Sequence, residues 1–80
     1  MDYKIRFGRT AEKYLDNQTA KTRQRLLDAI HELPKGDVTK LKGREGYRIT
    51  VGGFRVLFDF VDTSIIKVIT IAPRGDVYKK

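Results

Sequence analysis

The dipeptide Gly52-Gly53 stands between two segments in which apolar and polar residues alternate, and this arrangement leaves few folds open to the C-terminal half of the chain. Upstream, Tyr47, Ile49 and Val51 alternate with Arg48 and Thr50. Downstream, Phe54, Val56, Phe58 and Phe60 alternate with Arg55, Leu57 and Asp59. A period of two is that of a strand with one buried face. A two-residue glycine turn of the primed type joins such strands and pairs Val51 with Phe54, Thr50 with Arg55, Ile49 with Val56 and Arg48 with Leu57. In that register every large apolar residue except Leu57 falls on one face, while Arg48, Thr50 and Arg55 share the other. A slip of one residue would scatter both sets, so the pattern itself specifies the pairing.

The other elements follow from periodicity and stop signals. Tyr3, Ile5 and Phe7 alternate with charged neighbours and predict a first strand. Thr10 is the expected N-cap of a short helix carrying Ala11, Tyr14 and Leu15, which ends at Asp16 and Asn17. A second helix is expected from near Thr19, with Leu26, Leu27, Ile30 and Leu33 as its apolar stripe and Pro34 and Gly36 as its end. Residues Ile65 to Ala72 are apolar on both alternating sets apart from Lys67 and Thr70, as in a strand that is central in its sheet or covered on both faces. It should pair antiparallel with the strand that starts at Phe54. The predicted fold is α+β: an N-terminal strand, a two-helix hairpin, then a three-stranded antiparallel meander, all in one four-stranded sheet. Eighty residues suffice for one domain, 1–80, because two cores of half this size would bury too little apolar surface.

Charge narrows the partners. Seventeen Lys and Arg against ten Asp and Glu give +7 at pH 7 on a small surface, a potential that attracts polyanions, nucleic acid first among them, although such charge also serves solubility. There is no Cys, so disulfides and thiolate metal sites are excluded and a reducing, cytoplasmic setting is expected. Charges at Asp2, Lys4, Arg6 and Arg9 argue against a secretion signal. Apolar runs are too short to span a bilayer, so no membrane association is expected. The single histidine, His31, has no carboxylate or second histidine at a useful spacing, and no metal or other cofactor is expected. Lys21, Arg23 and Arg25 are read as a solvated helix face.

Antiparallel pairing of the last two strands puts Arg74 at the same end of the sheet as Arg55, and Arg48 lies diagonally across the hairpin, roughly 7 to 8 Å away between backbone positions. Three arginines at one end of a sheet repel one another unless an anion offsets them, and the guanidinium fork matches phosphate oxygens. Tyr78 follows closely. Neighbouring cations favour the anionic form of a phenol, which ordinarily titrates near about pH 10, and an anionic phenol can take the proton of a ribose 2′-hydroxyl. The same residues equally fit a purely structural arrangement, with Arg74 paired to Asp76, Arg48 to Glu45, and Tyr78 docked on the sheet.

The element order, together with Leu41-Lys42-Gly43, Tyr47-Arg48-Ile49, Gly53-Phe54-Arg55-Val56-Leu57-Phe58 and Pro73-Arg74-Gly75-Asp76-Val77-Tyr78, resembles the RelE/ParE superfamily of bacterial and archaeal toxins, and the RelE type in particular. The resemblance covers essentially the whole chain. It implies a metal-free endoribonuclease of a toxin-antitoxin system. Such an enzyme enters the ribosomal aminoacyl site, cleaves messenger RNA by attack of the 2′-hydroxyl, and is inhibited by a cognate antitoxin. By the same resemblance Arg55 stabilises the transition-state phosphate, Arg74 assists charge neutralisation, Tyr78 takes part in proton transfer and Arg48 occupies a basic position. Lys40, Lys42 and Arg44 form a basic loop expected either to contact ribosomal RNA or simply to be solvated. The family's terminal helix, seen in some relatives, is expected to be missing after Tyr78. Thr50 is the departure, since a lysine is found there in RelE, which leaves the acid and base roles open. Two alternatives are a ParE-like inhibitor of DNA gyrase, against which the arginine site ending in Tyr78 speaks, and a nonenzymatic basic RNA-binding module.

Overall fold

The computed structural model describes residues 3–36, 38–43 and 45–73. Its elements are β1 (Lys4–Phe7), α1 (Arg9–Asp16), α2 (Ala20–His31), β2 (Thr39–Lys40), β3 (Tyr47–Val51), β4 (Phe54–Asp62) and β5 (Ile65–Pro73). The sheet has the order β1-β5-β4-β3-β2. β1 runs parallel to β5 and the remaining pairs are antiparallel. The sheet therefore has five strands where the sequence pattern predicts four. The extra one, β2, is a two-residue edge strand, too short to show an alternation, formed where Thr39 and Lys40 pair with Arg48 and Tyr47.

The hairpin has the predicted register, from Val51↔Phe54 to Arg48↔Leu57, and continues to Tyr47↔Phe58. Gly52 has φ of +58° whereas Gly53 does not enter the left-handed region, the sign pattern of a type II′ turn, which needs glycine at its first central position. β5 pairs antiparallel with β4 as expected and is central, between β4 and β1. It is not covered on both faces: Lys67 is exposed and Ile65, Ile69 and Thr70 are half-exposed. The pairing changes step between Leu57↔Thr70 and Phe58↔Val68, so Ile69 is the extra residue of a bulge that keeps Ile66 and Val68 on one face and Ile71 on the same face beyond it.

That face is dry. Ile49, Val51, Val56, Phe58, Ile66, Val68 and Ile71 meet Ala11 and Leu15 of α1, Leu26 and Ile30 of α2, and Leu33. Beyond the helices Tyr3, Tyr47, Phe58 and Phe60 form an aromatic cluster, with Tyr47 stacked on Phe58 at 5.8 Å and edge-on to Phe60 at 5.4 Å. The first helix starts one residue before Thr10: Gly8 is the N-cap, and it supplies no side-chain hydrogen bond. Thr10 lies inside the helix, so its predicted capping role is not realised. Thr19 does cap α2, accepting from the Thr22 N–H at 3.2 Å. Arg23 is not part of a solvated face. It is half-buried, and its guanidinium donates to the Leu15 and Gln18 carbonyls at the end of α1, bracing the two helices. At the β4–β5 turn the Asp62 carboxylate accepts from the Ser64 N–H and hydroxyl. The Ser64 N–H is the main reason its pKa lies below the ordinary carboxylate value, with Arg6 adding a smaller pull.

Phe58 is fully buried where the two layers meet. Phe58→Ala is expected to lower stability by about 3 to 5 kcal/mol. Urea unfolding of the variant measures this, and a loss under about 1 kcal/mol would mean that the inter-layer core lies elsewhere.

Candidate functional site

Because the helices lie on one side, the other face of the sheet is where long polar side chains are free to meet a ligand. The register arranges that face in rows. Thr39, Arg48, Leu57 and Thr70 form one, and Thr50, Arg55 and Ala72 form the next. Arg48 and Arg55 are thus diagonal neighbours on adjacent strands, and every position around them carries a side chain much shorter than an arginine. Two long cations rise from a floor of threonine, leucine and alanine. Both are half-buried.

Neither arginine makes an ion pair or side-chain hydrogen bond among the described residues, so the pairing of Arg48 with Glu45 does not form. The Arg55 Nε is buried and has no hydrogen-bond partner. A buried N–H on a charged group that gives up its hydration without a replacement is costly, commonly about 1 to 3 kcal/mol. An oxyanion seated on the guanidinium edge would supply the missing acceptor with a charge-assisted bond. The arrangement therefore suits a phosphate better than a neutral group.

No protein-family model and no curated protein matches the sequence. Solved structures do match. RelE in the RelE-RelB complex of Pyrococcus horikoshii is 28% identical, with 94% of this chain and 98% of that chain covered and a TM-score of 0.73. The RelB-RelE complex from Methanococcus jannaschii gives 27% identity, coverage of 91% and 94%, and a TM-score of 0.71. The isolated Escherichia coli RelE toxin gives 25% identity, coverage of 95% and 90%, and a TM-score of 0.73. The chain has the fold of the RelE toxins.

Within this RelE fold the residues singled out in the sequence fall into three groups. Arg48 and Arg55 come together on the open face. Lys40 does not join them: it pairs with Tyr47, whose ring belongs to the core side, and so sits on the opposite face at the far edge of the sheet. Lys42 is exposed in the segment that follows β2. Arg44, Arg74 and Tyr78 lie outside the described residues; the last described residue, Pro73, is paired with Phe54, one step from the Arg55↔Ala72 pair. Thr50, where the family resemblance implies a lysine, is exposed directly opposite Arg55.

Two features were not legible beforehand. Arg25 reaches from α2 to the hairpin turn, where its Nη2 is 2.8 Å from the place a Cβ on Gly52 would occupy. A glycine in a turn signals backbone freedom, and nothing in the sequence says that a remote arginine also fills the space. The second is a cationic groove beside β1, lined by Arg6, Arg9 and Lys67, residues far apart in the chain.

If the arginine pair is an anion site, removing one charge should relieve repulsion and abolish ligand stabilisation together. Arg55→Gln and Arg48→Gln are expected to leave stability within about 0.5 kcal/mol of the parent. Inorganic phosphate should raise the melting temperature of the parent more than that of either variant, since only the parent binds it in the folded state. Lys21→Gln, with the same change of charge, controls for screening. Equal phosphate responses in all four proteins would dismiss the site.

Proposed function

We propose that the protein is the toxin of a toxin-antitoxin pair, acting in the cytoplasm as a ribosome-dependent messenger-RNA endoribonuclease. The observation that carries this reading is the Arg48–Arg55 pair, unpaired on the open face of a RelE fold, with a buried Arg55 N–H awaiting an acceptor. The coarser part, a toxin role, is supported by the RelE toxins among the matching structures.

The chemistry needs no group beyond side chains and RNA. The ribose 2′-oxygen attacks the adjacent phosphorus while its proton passes to a base. The bond to the 5′-oxygen of the next nucleotide breaks, and that oxygen takes up a proton. The products are a 2′,3′-cyclic phosphate and a free 5′-hydroxyl. Negative charge on the nonbridging oxygens grows toward the pentacovalent transition state, so donors fixed there beforehand lower the barrier. Arg55 fills that role and Arg48 stands beside it. Arg74 is proposed as a second source of charge neutralisation and Tyr78 as the proton carrier. Thr50 supplies no cation where the family has one, which favours a division of labour in which Tyr78 and the ribosome handle the protons. The same residue is the one observation in favour of a nonenzymatic RNA-binding module, which would bind programmed ribosomes without cutting. Lys42 and Arg44, and Lys40 at the opposite sheet edge, are proposed contacts to ribosomal RNA.

Cleavage on programmed ribosomes is expected to persist in EDTA, because the chain offers one histidine and no cysteine for a metal. Arg55→Ala and Arg74→Ala are each expected to reduce it by about a hundredfold or more with the fold intact. Primer extension on ribosome-bound message reads both. Wild-type cleavage in either variant assigns that arginine to structure, and binding without any cut selects the nonenzymatic module.

The Pyrococcus and Methanococcus proteins are complexes with RelB antitoxins. For this chain the proposed partner is an antitoxin with an acidic segment that folds onto the cationic face. With +7 on the toxin, association should be fast at low salt and slow steeply as ionic strength rises, while apolar contacts keep dissociation slow. Stopped-flow mixing measures the rate. Indifference to salt would remove charge as the steering force.

A further inference from the structure

The groove beside β1 lies on the same open face as the arginine pair and is not used by the cleavage chemistry. It has a volume of about 570 Å³ and is lined by Arg6, Phe7, Gly8, Arg9, Val61, Ile65 and Lys67. Arg6 and Lys67 are cross-strand partners on β1 and β5. Lys67 is also opposite Asp59 on β4, yet no ion pair forms; an Asp59 oxygen accepts instead from the Phe60 N–H at 2.8 Å. The lysine runs the other way. Its Cε lies 3.5 Å from where a Cβ on Gly8 would stand, so the lysine reaches the start of α1.

Three cations thus converge where α1 begins. The N-cap is a glycine without a side-chain hydrogen bond, and the first helical residue is Arg9. A cation at this end opposes the helix dipole; Glu12 in the first turn acts in the dipole's favour, but no side-chain cap is present. Asp62 weakly attracts Arg6, but its carboxylate is already held by Ser64. Between the cations the floor is apolar: Ile65 is half-exposed and Val61 is 57% exposed, the one large hydrophobic residue so exposed among the described residues. Anion donors around a flat apolar floor fit a nucleotide, its phosphate on the cations and its base on the aliphatic side chains.

Distance ties the groove to the cutting site. Ala72 is the cross-strand partner of Arg55, and Lys67 lies five positions earlier on the same strand, roughly 16 Å away at about 3.3 Å per residue. A single RNA strand crossing the face would reach both. We propose that the groove lined by Arg6, Arg9 and Lys67 is a second backbone-binding site, which holds the RNA strand several nucleotides from the scissile phosphate. This inference rests on the reading of the arginine pair as the cutting site and specifies how its substrate lies.

The test uses fluorescence anisotropy with single-stranded RNA of two lengths, roughly three nucleotides and roughly eight, the longer within the usual span of single-strand sites. Arg6→Gln/Lys67→Gln should weaken the longer RNA by about tenfold and reduce its salt slope by about 1.4, roughly 0.7 for each lost phosphate contact, while leaving the shorter RNA unchanged. Gly8→Asp should act in the same direction while capping α1, so RNA binding falls as the melting temperature holds or rises, which a merely unfolded variant cannot show. Arg55→Ala should weaken both lengths. The groove is overturned if its variants bind the longer RNA as the parent does; if they then lose an acidic peptide instead, it is a protein-docking site. Should Arg55→Ala also leave both lengths unaffected, the reading of the cutting site fails with it.

Discussion

The pairing of β3 with β4 across Gly52 decides which side chains enter the core and which meet solvent, and both halves of the molecule depend on it. One face of the pair supplies Ile49, Val51, Val56 and Phe58 to the layer beneath the helices. The other supplies Arg48, Thr50 and Arg55. These are a single constraint, because the side-chain period of a strand is two and a slip of one residue would drive arginines under α1 and α2. Burying an unpaired guanidinium there would be far more costly than any local gain in hydrogen bonding. The core therefore holds the arginines in place without touching them.

This coupling explains why so much of the fold, and the diagonal placement of Arg48 and Arg55 at the centre of the candidate site, was legible in the sequence. Alternation and a glycine turn suffice to fix Arg48 and Arg55 as diagonal neighbours. Elements whose determinants are not periodic were harder to read. β2 has two residues and exists only because Tyr47 and Arg48 offer an unpaired edge. The start of α1 was misplaced because a threonine is the better cap in isolation, whereas Gly8 is fixed by its own N–H bond to the Val68 carbonyl, 2.8 Å, at the end of the β1–β5 pairing. Arg23 looked like one of three surface cations, yet it reaches the carbonyls left open at the end of α1, a partner set by the angle between helices. The groove of Arg6, Arg9 and Lys67 depends on the parallel pairing of β1 with β5, a contact between the two ends of the described chain that no local pattern reveals.

Electrostatically the molecule is divided. The carboxylates of Asp59 and Asp62 on the sheet are hydrogen-bonded locally, Asp59 with the Phe60 N–H and Asp62 with Ser64, and neither forms an ion pair with a nearby cation among the described residues, although Arg6 attracts Asp62 weakly. The arginines and lysine on the open face consequently keep their charge unneutralised. Each exposed ion pair forgone is worth little, about 0 to 1 kcal/mol, so the cost in stability is small. The gain is a field that reaches about 10 Å at moderate salt, enough to draw a polyanion to the face before contact is made.

Thr50 shows how such a face divides binding from chemistry. A lysine there would stand directly across from Arg55 and add a third cation to the pair, strengthening both the hold on phosphate and the repulsion between the strands. Threonine relieves the repulsion and suits a strand, being β-branched. What it gives up is a proton donor beside the proposed phosphate site. Holding the phosphate depends on fixed charge, which Arg48 and Arg55 retain. Moving protons depends on a group whose ionisation responds to its surroundings, and an arginine does not, because it stays protonated throughout the accessible pH range. The arginine pair is therefore suited to hold and polarise a phosphate and not to move its protons. A proton carrier for the proposed cleavage would have to come from outside the arginine pair, which is the reason for proposing Tyr78 and the ribosome, rather than Arg48 or Arg55, in that role.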